Sequence, residues 1–161
     1  MRLKTIVDED FVNYKEPVMY IGTAVCDGKC FKEAGLPPSM CQNDAWRRVP
    51  DKIINDEDIV RRYLSNDITK GICFAGLEPM EQILEMLNII SALRIKYHCN
   101  DTVIIYTGYD KDEVLPQIEA LQEYENIIVK FGRYILNFTP HYDEVLGVCL
   151  ASDNQYAEKI S

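Results

Sequence analysis

The run "KGICFAGLEPMEQILEMLNII", residues 70–90, decides the fold. Its first third is short and apolar and closes on Gly76, the pattern of a buried strand. The remainder spaces Met80, Ile83, Leu84, Leu87 and Ile90 at helical intervals and continues to Leu93, with Pro79 at a first-turn position. A strand that passes straight into a helix is half of a βαβ unit.

The same alternation extends outward. "PVMYIGTAV" (17–25) reads as a strand, and the cysteine-bearing segment after it reads as a loop broken by Gly28, Gly35 and Pro37–Pro38. "NDEDIVRRYLSN" (55–66) reads as a short helix capped by Asn55 or Asp56, with acids in its first turn. "DTVIIYTG" (101–108) and "NIIVKFG" (126–132) are strands, and "DKDEVLPQIEALQEY" (110–124) is a helix interrupted at Pro116. This order predicts an α/β fold with a mostly parallel sheet and helical crossovers. Ligands bind such sheets beyond the carboxyl ends of the strands. The cysteine loop, "AGLEP" (75–79) and "TGY" (107–109) each follow a strand, so all three are expected at one edge.

The 161 residues suit one domain, 1–161. Seventeen Lys and Arg against 26 Asp and Glu leave a net charge of −9, which repels phosphate backbones and argues against nucleic-acid binding. "WRRVPDK" (46–52) reads as a solvated loop. The N-terminal residues lack the apolar core of a signal peptide, and no apolar run is long enough to span a membrane. A cytoplasmic chain is expected. Clustered cysteines in a reducing compartment point to metal or catalysis rather than to disulfides.

Cys26, Cys30 and Cys41 are separated by three and then ten residues. Three thiolates suit a soft or borderline metal. A structural zinc would need a fourth ligand from Cys73, Cys99, Cys149, His98 or His141. Cys73 reads as a packed thiol inside a strand, Cys99 ends a helix, Cys149 lies in an apolar stretch, and the histidines read as surface residues. An iron–sulfur cluster on three cysteines instead keeps one iron open. Spacing alone leaves both readings standing.

Six pieces in order carry a resemblance: "DEDFVN" (8–13), Cys26-x-x-x-Cys30, "CQNDAW" (41–46), "FAGLEP" (74–79), "IIYTGY" (104–109) and "SDNQ" (152–155). Together they resemble the activating protein of anaerobic (class III) ribonucleotide reductase, a small member of the radical SAM superfamily. The resemblance implies a partial, open (β/α) barrel. It also implies a [4Fe–4S] cluster on Cys26, Cys30 and Cys41, with S-adenosyl-L-methionine on the fourth iron and no catalytic residue beyond the cluster ligands. By the same resemblance, Gly76, Leu77, Glu78 and Pro79 would bind the methionine amino group. Thr107 and Gly108 would face ribose or carboxylate, Met40 would cover the adenine, and Asn43 would support the cluster loop. The implied activity makes a 5′-deoxyadenosyl radical and installs a glycyl radical on anaerobic ribonucleotide reductase or another glycyl-radical protein. A low-potential donor such as a flavodoxin or ferredoxin would supply the electron.

The chain departs from that pattern in three places. Ten residues, "FKEAGLPPSM" (31–40), stand between the second and third cysteines where relatives keep two. Met40 replaces an aromatic residue, and Leu77 replaces the second glycine of a Gly–Gly pair. The insert is expected to form a ledge over the cofactor or a docking surface. Lys130 is expected on an exposed strand position and Trp46 in the core. The rival readings are a radical SAM enzyme with another substrate and a non-catalytic zinc module.

Overall fold

The computed structural model describes residues 1–33 and 35–161. The elements run β1 (Arg2–Asp10), β2 (Val18–Thr23), α1 (Lys29–Glu33), α2 (Asp44–Arg48), β3 (Lys52–Ile53), α3 (Asp56–Leu64) and β4 (Gly71–Gly76). They continue with α4 (Ile83–Ser91), β5 (Thr102–Tyr106), α5 (Leu115–Gln122), β6 (Ile127–Phe131), β7 (His141–Asp143), β8 (Val148–Leu150) and β9 (Tyr156–Lys159). The described residues form a seven-stranded sheet in the order β3-β1-β2-β4-β5-β6-β9. Its four central strands, β2, β4, β5 and β6, are parallel, and the outer strands pair antiparallel. The fold is mixed α/β around a mostly parallel central sheet.

The central strands are mostly apolar because both of their faces are covered, with Lys130 in β6 as the one charged residue. One face packs Leu3, Met19, Ile21, Ile72, Phe74, Ile105 and Val129 against α3, α4 and α5 through Ile59, Val60, Met86, Ile90, Ile118 and Leu121. The other face carries Val18, Cys73, Ala75, Ile104 and Ile128. It is covered in part by Leu146 and Leu150 of the β7–β8 ribbon. Buried Asp143 ties that ribbon to β9, accepting from the Ala157 N–H at 2.9 Å and the Leu146 N–H at 2.9 Å.

Several elements differ from the sequence reading. The first residues form the antiparallel strand β1, whose charged alternation hides a half-buried strand. Asn55 is the cap of α3, its side chain accepting from the Glu57 N–H at 2.9 Å. The helix after β4 opens as a 3-10 turn, Pro79–Gln82, and closes in a π turn, Ala92–Lys96. Pro116 does not interrupt a helix. It sits in the first turn of α5, where its missing N–H has no helical partner to lose. The cysteine segment is a chain of short helical turns rather than plain loop. Among the described residues no helix is long and apolar enough to cross a membrane.

Candidate functional site

The four parallel strands end side by side, and the residues just beyond their carboxyl ends line one cavity of about 1100 Å³. After β2 comes the cysteine segment, after β4 Leu77 and Glu78, after β5 Thr107 and Gly108, and after β6 Gly132 and Arg133. The expected shared edge is therefore present. Cys26, Cys30, Cys41, Met40, Gly76, Leu77, Glu78, Thr107 and Gly108 all line the cavity. Pro79 does not stand in that lining. It is buried as the first residue of the 3-10 turn, where its fixed φ starts the helix.

Gly76 is set by close approach. It has φ +94°, and a Cβ there would meet Gly22 Cα at 3.0 Å and the Thr23 nitrogen at 3.2 Å. Leu77 follows without a positive φ. The Glu78 N–H donates to Val25 O at 2.7 Å, and Gln82 Oε1 accepts from the Ala24 and Val25 N–H groups at 2.6 and 3.0 Å. The turn after β4 thus fixes the start of the cysteine segment.

Glu78 is 6 % exposed. Its carboxylate accepts from Thr107 Oγ1 at 2.7 Å, the Gly108 N–H at 2.9 Å and the Met80 N–H at 3.2 Å. Thr107, itself buried, uses its hydroxyl hydrogen on Glu78 and accepts from the Tyr109 N–H at 3.0 Å. Burial pushes the Glu78 carboxyl up to about 7, against the pull of these donors. Lys130 is not exposed as expected. It is 6 % accessible and lines the cavity, because its strand position points to the face that the helices leave free. Its ammonium donates to Gly132 O at 2.8 Å, and burial pushes it down to about 8, opposed by the charge of Glu78.

The cysteine segment is half-buried. Cys26 accepts from the Gly28 N–H at 3.2 Å and from Arg47 Nη2 at 3.1 Å. Gly28 has φ +74°, and a Cβ there would strike the Phe31 ring at 2.5 Å. The neighbouring Cys30 thiol favours a thiolate at Cys41, and Cys41 in turn disfavours one at Cys30. Burial pushes the Cys26 thiol up. Asn43 N–H and Arg47 also favour the Cys41 thiolate. Phe31, Leu36 and Met40 of the insert line the cavity wall, as does Trp46, which belongs to neither core cluster of the described residues. Ion pairs fasten α1 to the strand ends. Lys29 pairs with Glu113, and Arg133 pairs with Glu33 at 3.1 Å and with Glu113 at 2.6 Å. Both cations also lie over the Tyr109 ring, at 5.5 and 5.7 Å.

Among the described residues, no three His, Cys, Asp or Glu side chains gather where a single metal ion would be held. Around a group of several irons the three thiolates need not meet at one point, since each binds its own iron. Cys73 is fully buried in β4 and Cys99 is partly buried after the π turn. Cys149 is exposed and lines the same cavity from β8, contrary to its apolar setting in the sequence.

A family model described as a 4Fe-4S single cluster domain matches residues 26–147, starting on Cys26 itself. The chain belongs to that family. Comparison with curated proteins finds no match. The donor set fits the family's four-iron group: three thiols on one cavity wall, two N–H donors on Cys26, and a Cys30–Cys41 pair in which one thiolate is already favoured. Sequence reasoning missed Arg47, Gln82 and the ion pairs of Lys29 and Arg133 with Glu113, none of which belongs to a spaced motif. It also discounted Lys130, whose charge alone argued for exposure.

Proposed function

We propose that this 4Fe-4S single cluster domain protein is a radical SAM enzyme. In this reading Cys26, Cys30 and Cys41 hold the cluster, and S-adenosyl-L-methionine lies in the cavity at the strand ends. The observation that carries the reading is a buried pair of opposite charges on the wall that the three thiols share. Glu78 has about four acceptor sites, and three are filled by Thr107, Gly108 and Met80. Among the described residues the Lys130 ammonium, which has three donors, gives one hydrogen bond, to Gly132 O. The remaining capacity suits the ammonium and carboxylate of a methionyl group.

When bound, the cluster supplies one electron that cleaves the sulfonium into methionine and a 5′-deoxyadenosyl radical. The chain's own work is binding, orientation and exclusion of water. Thr107 and Gly108 hold the Glu78 carboxylate in place. Met40 offers a thioether to an adenine face. The helices α3, α4 and α5, which pack on one face of the parallel strands, accord with a partial, open (β/α) barrel whose other face receives the cofactor.

The substrate in this reading is a backbone glycine of a partner, anaerobic ribonucleoside-triphosphate reductase or another glycyl-radical protein. A flavodoxin or ferredoxin supplies the electron. The test pairs the reconstituted protein, S-adenosyl-L-methionine and a reductant with a co-encoded glycyl-radical reductase under anaerobic conditions. The expected result is a carbon-centred radical in the partner by EPR, formed with 5′-deoxyadenosine. Cofactor cleavage without that radical would sink the activase assignment and favour another substrate.

A further inference from the structure

Arg47, the first basic residue after Trp46 in α2, is not a surface cation. Its Nη2 lies 3.1 Å from Cys26 Sγ, and its guanidinium carbon lies 4.9 Å from the centre of the Phe31 ring. Its Nε is buried and has no hydrogen-bond partner among the described residues. The neighbouring Arg48 behaves differently, with 74 % of its side chain exposed in an ion pair with Asp44. A guanidinium is costly to desolvate, and an unpaired buried N–H adds to that cost. Packing alone does not account for placing one here. The first residue of the insert, Phe31, holds the planar fork from one side while the fork reaches the sulfur with its donors.

We infer that Arg47 is a positioning residue that sets the charge on the cluster thiolates through its contact with Cys26, and so raises the cluster's reduction potential. The inference rests on the proposed assignment of the cluster to Cys26, Cys30 and Cys41. Cluster potentials depend on net charge, hydrogen bonds to the sulfurs and solvent exposure. One electron entering the cluster adds one negative charge, and a permanently protonated guanidinium against a ligand sulfur stabilises that charge. No proton moves and no bond breaks. The electron comes from the reductant used in the titration.

The test is an anaerobic redox titration of the reconstituted full chain, followed by EPR of the reduced cluster, for the parent, Arg47→Lys and Arg47→Gln. Iron and sulfide are measured on each sample. The expected midpoint potentials fall in the order parent, Arg47→Lys, Arg47→Gln. Lysine keeps the charge but loses the fork, and glutamine loses both. If Arg47→Gln takes up no cluster, parent and Arg47→Lys carry the comparison, with the lysine variant lower. Equal potentials in variants that hold a full cluster overturn the inference and leave Arg47 as packing for Phe31, with the cluster assignment intact. A parent chain that binds no iron and sulfide overturns the cluster assignment and this inference with it.

Discussion

The two halves of the cavity wall are built by different physics. The strand-end half, with Glu78, Thr107 and Lys130, is buried, and Glu78 is held by donors from three residues on two neighbouring strand ends. The described residues of the cysteine half, from Cys26 to Asn43, form short turns. Neither α1 nor the 3-10 turn Pro38–Met40 contains a buried residue. It is fastened by Gln82 at its root, by Arg47 on Cys26 and by ion pairs from Lys29 and Glu33. A sheet edge fixes groups with backbone that is already paired. A loop of turns needs its ligand and its ionic ties to complete it.

The largest expected effect falls on the cysteine half. Replacing Cys30 by serine removes a proposed ligand from that half, and bound iron and sulfide should drop to background. Cys73→Ser and Cys149→Ser should keep the full content, as neither sulfur is assigned to the cluster. Full content in Cys30→Ser would detach the loop from the metal.

The strand-end half should answer to pH instead. A carboxyl raised from 4.5 to about 7 binds its proton more tightly folded than unfolded. Its contribution is complete below pH 4.5 and is lost as pH climbs through about 7. At about 1.4 kcal/mol per unit, the change amounts to roughly 3 kcal/mol at most. Melting curves of the cluster-free chain from pH 4.5 to 7.5 should therefore slope downward more steeply in the parent than in Glu78→Gln. Parallel profiles would show that Glu78 does not titrate in that window.

Lys130→Met keeps most of the side chain's length and removes the cation. Losing a charge-assisted contact of about 1.5–3 kcal/mol should weaken S-adenosyl-L-methionine binding about ten- to a hundredfold. Cluster content should stay at the parent level. Unchanged affinity would remove Lys130 from the cofactor wall.

The smallest effect should come from the ionic ties. Arg133 and Lys29 hold the Glu113 carboxyl well below the usual carboxylate range. Partly exposed pairs are worth about 0.2–1 kcal/mol each. Glu113→Gln should therefore release iron to a chelator only a few times faster than the parent, and added salt should narrow the gap. A rate independent of both substitution and salt would mean that the ties do not hold the loop.

The contrast between the halves also explains what the sequence displayed. β2, β4, β5 and β6 were legible because burial on both faces leaves mostly apolar runs, with Lys130 the one charged residue among them, and their order placed the edge where the cavity lies. β1 was missed because Lys4, Asp8 and Asp10 break its pattern, and β7 to β9 because each spans only three or four residues. The cysteines stood out by spacing. Lys130 and Arg47 did not, because a buried or half-buried cation is recognised by what surrounds it in space, here Glu78 for one and Cys26 with Phe31 for the other.

The most direct measurement is anaerobic reconstitution of the full chain with iron and sulfide, followed by reduction and an assay for 5′-deoxyadenosine from S-adenosyl-L-methionine. The account predicts one four-iron cluster per chain and product formation that disappears when Cys26, Cys30 or Cys41 is replaced. Zinc without iron or sulfide in protein purified anaerobically, or a Cys41→Ser chain that keeps its cluster and cleaves the cofactor at the parent rate, would contradict it.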